Sequence, residues 1–250
     1  MPQSREPYTD WRVWQEPESA IAFVNDRRSG IPGAQDQLAV LRQLLPKRPE
    51  GAILRVLDMG CGDGILLNTV LAHWKTAQGV ALDGSPTMLE LARERFASQP
   101  EQCVEFVQSD FNDACWQEVL PNKAFDAVVS GFAIHHSEDG RKKEIYAEIF
   151  DLLRPGGVFV NIEHVASTTP LGEELFEATY AQNITRKRQE QGQNVTFAEV
   201  MREISERLDK SANRLTLVET QLEWLRSIGY QHVDCYWKYY ELAIIAGYKP

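Results

Sequence analysis

The stretch Val56-Leu57-Asp58-Met59-Gly60-Cys61-Gly62-Asp63-Gly64 decides the fold. An apolar run leads into three glycines at every second position, and a helical period over 65–74 follows at once. Such a turn needs glycine, which reaches positive φ at little cost and lets a ligand lie against bare main chain. The helix beyond offers free N–H groups and partial positive charge, suited to an anionic ligand group. Spacing narrows the ligand. A dinucleotide fingerprint reads G-x-G-x-x-G, and from Gly60 its third glycine falls on Ile65. The actual G-x-G-x-G, with Asp58 two residues ahead, argues against a nicotinamide or flavin enzyme.

The same strand-then-helix rhythm repeats outward from this turn. Short apolar runs predict strands over 53–58, 79–83, 104–108, 125–130 and 158–163. Helices are expected over 85–96, with Ser85 as N-cap and Pro86 at the first helical position, and over 138–153, ended by Arg154-Pro155-Gly156-Gly157. Near-continuous apolar strands alternating with helices predict an α/β, doubly wound, mostly parallel sheet. After a helix over 218–228 that stops at Gly229, two aromatic-rich runs at 232–236 and 240–247 predict an antiparallel C-terminal hairpin. The sheet then has seven strands.

Three regions are expected. Residues 1–35 form an irregular lead-in or cover, anchored by Trp11, Trp14 and Phe23. Residues 36–169 with 214–250 form the ligand-binding domain, beginning with an amphipathic helix that carries Leu38, Leu41, Leu44 and Leu45 and stops at Pro46. Residues 170–213 hold no strand signal and read as a helical insertion. Thr196-x-x-Glu199 there is a capping box, and Phe197, Val200, Met201, Ile204 and Leu208 follow at helical spacing. That stripe packs on the parent domain, covers a ligand cleft as a lid, or forms a dimer surface.

Composition excludes other classes. Twenty-six Lys plus Arg against 36 Asp plus Glu give a net charge of −10 over 250 residues. Affinity for nucleic acid comes mostly from basic side chains on phosphates, so a nucleic-acid partner is disfavoured. The four cysteines lack zinc or disulfide spacing, no metal site is indicated, and no apolar run is long enough to cross a bilayer. A cytoplasmic enzyme with no membrane partner is expected.

Two further acids mark a ligand. Asp83 ends the second predicted strand, and Asp110 follows the third. An acid at the first position can accept both hydroxyls of a ribose; one at the second can accept from an adenine amino group, with Phe111 beside the ring. Three carboxylates at neighbouring strand ends suit a cationic ligand without phosphates.

On Val56-Leu57-Asp58-x-Gly60-x-Gly62-x-Gly64, Ala81-Leu82-Asp83-x-Ser85-x-x-Met88-Leu89, Ser109-Asp110-Phe111, Phe125-Asp126-Ala127-Val128-Val129-Ser130 and Leu152-x-Arg154-Pro155-Gly156-Gly157, the chain resembles class I S-adenosylmethionine-dependent methyltransferases. The resemblance spans about residues 50–165. It implies S-adenosyl-L-methionine as cofactor, with the Gly60-Cys61-Gly62 turn under the methionine part and Asp83 with Gly84 at the ribose. Met88 flanks the adenine, Asp110 bonds its amino group, and the backbone around Ser130–Ala133 holds the amino-acid end. Arg28 is a candidate for the cofactor carboxylate.

A small-molecule acceptor is expected, since nothing resembling an RNA-binding module is present. If that acceptor must lose a proton, His135 and His136 are the candidate bases, ahead of Glu163 and His164. Two alternatives stand beside this reading. Arg28-Ser29-x-Ile31-Pro32-Gly33, the helical insertion and the Val218-Glu219-Thr220 stretch also resemble carboxy-S-adenosylmethionine synthases, which alter the cofactor itself; Arg186-Lys187-Arg188 is then the candidate carboxylate-binding run. The other is a non-catalytic S-adenosylmethionine-binding subunit. Homodimerisation is left open by the insertion.

Overall fold

A computed structural model describes residues 11–25, 30–47, 49, 51–99, 101–121, 123–207 and 210–250. The seven strands are β1 (Arg55–Met59), β2 (Gln78–Asp83), β3 (Cys103–Gln108), β4 (Phe125–Gly131), β5 (Leu153–His164), β6 (Gln231–Tyr239) and β7 (Leu242–Tyr248). They form one sheet in the order β3-β2-β1-β4-β5-β7-β6, with the first five parallel and β7 antiparallel to both its neighbours. The central strands carry buried apolar side chains on both faces because both faces are covered. Leu57 of β1 lies between Val80 of β2 and Val128 of β4.

The helices are α1 (Pro17–Asn25), α2 (Ala34–Leu44), α3 (Ile65–His73), α4 (Pro86–Ala97), α5 (Asp139–Leu152), α6 (Pro170–Glu190), α7 (Phe197–Glu206) and α8 (Val218–Ile228). Two cores flank the sheet. One gathers Tyr146 and Ile149 of α5 and Leu225 of α8 against Phe159 and Ile245. The other sets Leu41 of α2, Leu67 and Val70 of α3 and Leu89 of α4 on Val56 and Val160. Sequence-encoded caps act as expected: Ser85 Oγ accepts from Met88 N, Thr196 and Glu199 close the capping box, and Gly229 ends α8 at φ 117°.

Three expectations need correction. The lead-in is not irregular where it is described: Trp11–Gln15 form a 3₁₀ helix and α1 follows, with Pro17 pre-set for its first position. Arg154-Pro155-Gly156-Gly157 does not separate α5 from a strand at 158, because the chain enters β5 directly at Leu153 and Gly156 takes φ 75° within it. The insertion stripe is only partly covered. Val200 and Ile204 pack against Tyr180, Ala181 and Ile184 of α6, whereas Phe197 at the head of α7 is 42% exposed and Leu208 lies outside the described residues. No described helix is long and apolar enough to cross a membrane.

The return from the insertion to α8 is fixed by a buried lysine. Lys142 of α5 is 1% exposed, and its Nζ donates to Thr216 Oγ1 (2.6 Å), Asp139 Oδ1 (3.0 Å) and the Arg214 carbonyl. Removing a charge that satisfies buried acceptors leaves them desolvated and unpaired. Lys142→Met should therefore lower stability by roughly 2–4 kcal/mol. Urea unfolding should show an earlier midpoint with an unchanged slope; an unmoved midpoint contradicts the assignment.

Candidate active site

A cavity of about 220 Å³ opens along the carboxyl ends of the parallel strands, where ligands of open α/β sheets bind. The sheet order sets out its lining in a row. Asp110 follows β3, Asp83 ends β2, Asp58 and Gly60 belong to β1 and its turn, Gly131 ends β4 with His135 beyond it, and His164 ends β5. With about 4.8 Å between strands, the acids and the histidines stand at opposite ends of one trough.

The glycine turn is pinned at three places. Cys61 N donates to Leu82 O (2.9 Å), Gly62 N to Asp83 Oδ2 (2.8 Å), and Leu67 N to Asp58 Oδ2 (3.0 Å). Gly60 has φ 67°, and a side chain there would run into Ala133. Asp83 Oδ1 accepts from Ser85 N (2.8 Å), so main-chain amides fix both oxygens. Burial raises Asp83 to about 6, an effect its amide donors only partly oppose and Asp110 reinforces. Burial, then the Asp83, Asp58 and Asp63 charges, hold the Cys61 thiol well above its ordinary value, so it stays protonated and is no nucleophile.

Met88 and Phe111 line the same end, and the carboxylate of Asp110 is steadied by Asn112 N and Nδ2, both at 2.8 Å. Trp11 closes over Gly84, its ring 2.6 Å from where a Cβ would stand. Ser130 does not join this lining. Its hydroxyl is buried and donates to Met59 O (2.8 Å), so the contact surface after β4 belongs to Gly131, Phe132 and Ala133. Phe132 holds φ 53°, a strained value for a bulky residue, while its N–H bonds Ile162 O (2.8 Å). Arg28 lies outside the described residues.

The two histidines after β4 part company. His136 has both nitrogens engaged: Trp14 Nε1 donates to Nε2 (2.9 Å), and Nδ1 faces Ala212 O (3.1 Å). Indole only donates and a carbonyl only accepts, so His136 is the neutral Nδ1–H tautomer and serves as an anchor rather than a base. Ser85 Oγ donates to Trp14 O (2.6 Å), which ties the same tryptophan to the head of α4.

His135 is different. Its Nδ1 lies 2.6 Å from Glu163 Oε1, which leaves Nε2 on the opposite side of the ring, and Asn213 also hydrogen bonds to the imidazole. Burial depresses His135 well below its ordinary value, with His164, Lys142 and Arg207 adding repulsion. Burial raises Glu163 to about 7, against the pull of the His164 amide, Lys142 and Asn161. The pair therefore exchanges a proton near neutrality. Behind it His164 Nε2 meets Glu241 Oε2 at 2.9 Å.

The cofactor end passes a chemical test. Three carboxylates in one mostly apolar trough suit a cation, Asp83 suits a ribose, and the bare Gly60–Gly62 turn admits close approach. An open sheet of this order with such a turn after β1 is the architecture of a class I methyltransferase. The family model described as "Methyltransferase domain" matches residues 56–157, where the chain is similar to the S-adenosyl-L-methionine-dependent methyltransferases of class I. An "Uncharacterized methyltransferase" of Anoxybacillus flavithermus is 33% identical over 127 residues, covering 51% of this chain and 53% of that one. The demethylmenaquinone methyltransferase of Lactococcus lactis is 28% identical over 184 residues, covering 72% and 67%. The solved structure of an O-methyltransferase family protein from Burkholderia thailandensis shares the fold at TM-score 0.67 and 17% identity, covering 99% of this chain and 65% of that one. The chain spans about half the length of the first four curated relatives it matches.

Several lining residues carry no sequence signal. Gln37 of α2, Phe176 and Tyr180 of α6, Arg207 and Asn213 all face the cavity. Glu163 is a candidate in the sequence, and its direct pairing with His135 is decided by the fold. For His136, side-chain ¹⁵N spectra at pH 7 should show the Nδ1-protonated tautomer, and Trp14→Phe should shift the Nε2 resonance. An Nε2-protonated ring would contradict the anchor role.

Proposed function

We propose that this protein transfers a methyl group from S-adenosyl-L-methionine to a small-molecule acceptor. The observation that carries this reading is a single trough with three carboxylates at one end and the buried His135–Glu163 pair at the other. The matched family and the methyltransferase names of the relatives support it. When bound, the cofactor supplies a methyl group on a cationic sulfur. Asp83 accepts the ribose hydroxyls, Asp110 the adenine amino group, and the main chain of Gly60–Gly62 and Gly131–Ala133 cradles the remainder. Trp11, Trp14 and Phe23 cover that end and exclude water, which favours displacement chemistry.

Positioning supplies much of the catalysis, because the sulfur leaves as a neutral group. His135 does the acid–base work. With Glu163 ionised and Nδ1 protonated, an acceptor that displaces Asn213 from the imidazole meets the Nε2 lone pair, which takes its proton as its nucleophilic atom is methylated. When the pair holds a second proton, that lone pair is lost. Phe176 and Tyr180 of α6 form the wall against which the acceptor lies, so the insertion acts as a lid over it.

Two outcomes check these roles. Asp83 binds ribose as a carboxylate, so affinity for S-adenosylmethionine should fall as pH drops below about 6, and Asp83→Ala should weaken it about 100-fold. Calorimetry with undiminished binding in that folded variant removes the Asp83 assignment. His135→Ala should retain cofactor binding and lose roughly 10²–10⁴ in turnover. Turnover of the native protein should rise with pH through about 7, as Glu163 ionises, and Glu163→Gln should erase that limb. A flat profile in the native protein counts against the pair as the base.

A further inference from the structure

Asn161 lies within β5, paired with Ser130 of β4 and Ile245 of β7, and is wholly buried. Its side chain shares a face of the strand with Phe159 and Glu163, two residues to either side, and Phe159 belongs to the core under α5 and α8. A leucine of similar volume would satisfy the packing there. Asn161 instead leaves its Oδ1 buried with no hydrogen-bond partner among the described residues, which is a cost to the fold.

What the residue does lies on its nitrogen. Nδ2 donates to Tyr146 Oη (3.1 Å) and to Glu163 Oε2 (3.3 Å). The direction of both bonds is set from α8. Gln221 Nε2 donates to Thr216 O (3.0 Å), which leaves Gln221 Oε1 to accept the phenol proton of Tyr146 (2.6 Å). Burial and the Glu163 charge hold that phenol well above its ordinary value, so its one proton stays and is committed to Gln221. Tyr146 Oη therefore offers Asn161 only lone pairs, and the amide must present Nδ2 rather than its oxygen. The second N–H of that nitrogen is then directed at the carboxylate. Glu163 Oε1 accepts from His164 N (3.0 Å) and meets His135 Nδ1 (2.6 Å), while Asn161 is the partner of Oε2 among the described residues.

We propose that Asn161 is the positioning residue of the His135–Glu163 pair: its amide anchors Glu163 Oε2 so that Oε1 faces the imidazole, and Tyr146 and Gln221 hold the amide in that orientation. This rests on the pair being the base of the methyl-transfer reading above. A nitrogen that donates and cannot accept favours the ionised carboxylate, the form that leaves His135 Nδ1 protonated. The other groups around Glu163 are His136 after β4, Lys142 of α5 and His164 on its own strand, with Glu241 beyond His164 and Arg207 acting on His135. Lys142 and His136 act on Glu163 through charge, whereas Asn161 and the His164 amide reach its oxygens.

The test reads protonation directly and needs no acceptor. In the full chain labelled with ¹³C at its glutamate carboxyls, the signal lost in Glu163→Gln should titrate at about 7 in the native protein. Asn161→Leu should raise that midpoint by about one pH unit, because the ionised form loses a donor. In the native protein the Asn161 side-chain amide protons should shift with the same midpoint as Glu163, a readout that requires no variant to fold. A merely structural asparagine would lower the unfolding midpoint in urea and leave the Glu163 titration where it was. An unmoved Glu163 midpoint in folded Asn161→Leu, or an Asn161 amide whose shift ignores Glu163, overturns the inference while the pair stands as the base. If Glu163 does not titrate near neutrality in the native protein, the base reading falls and the inference falls with it.

Discussion

The constraint on which the site depends is the way Asp83 serves two purposes with one carboxylate. Its oxygens accept main-chain N–H groups from Gly62 and Ser85, which locks the glycine turn of one strand to the end of the next. Each carboxylate oxygen has a second lone pair, so the group that holds the turn can still meet ligand hydroxyls. Asp58 repeats the device one strand over by accepting from Leu67 N, the first turn of α3. The acids are thus part of the scaffold before any ligand arrives. Burial raises Asp83 toward 6 yet leaves it ionised near neutrality, because the two amides oppose the desolvation.

The far end of the trough is built on a different principle. Burying His135, Glu163, His164 and Glu241 together is tolerable only because each has a charged or polar partner within hydrogen-bond distance. Glu241 illustrates the balance: burial pushes its carboxyl up, but hydrogen bonds from His164 and Ser167 win and hold it below the ordinary value. Glu163 goes the other way, because desolvation there outweighs the His164 amide, Lys142 and Asn161. Two buried glutamates, Glu163 on β5 and Glu241 in the turn before β7, are therefore driven apart in acidity. Only the one paired with His135 changes charge near neutral pH.

How much of this was readable from the chain follows from the range of each interaction. Strands buried on both faces announce themselves locally, and so do Ser85-Pro86, Thr196-x-x-Glu199 and Gly229, whose caps are closed within a few residues. The acids were legible because each ends a strand in a repeating rhythm. The separate fates of His135 and His136 were not, since they are decided by Glu163, Trp14 and Ala212, lying 28, 122 and 76 residues away. The inward turn of the Ser130 side chain is decided in the same way, by Met59 O, 71 residues distant. The lead-in read as irregular because its helices are short and anchored by contacts with α4 and His136 rather than by an apolar period of their own.

That division by range coincides with a division of labour in the fold. The matched methyltransferase domain, residues 56–157, contains the glycine turn, all three acids and His135. It ends before Glu163, His164, Phe176, Tyr180, Arg207, Asn213 and Glu241, which complete the other end. The α6–α7 pair carries a small core of its own, Tyr180, Ala181 and Ile184 against Val200 and Ile204, separate from the two cores that flank the sheet. Side chains facing the trough from α6 and from the end of α7 can therefore change without disturbing the packing on the sheet or the turn that Asp83 holds. A glycine turn fixed by main-chain hydrogen bonds, joined to an independently packed insertion, allows the trough to keep one end while the other is altered.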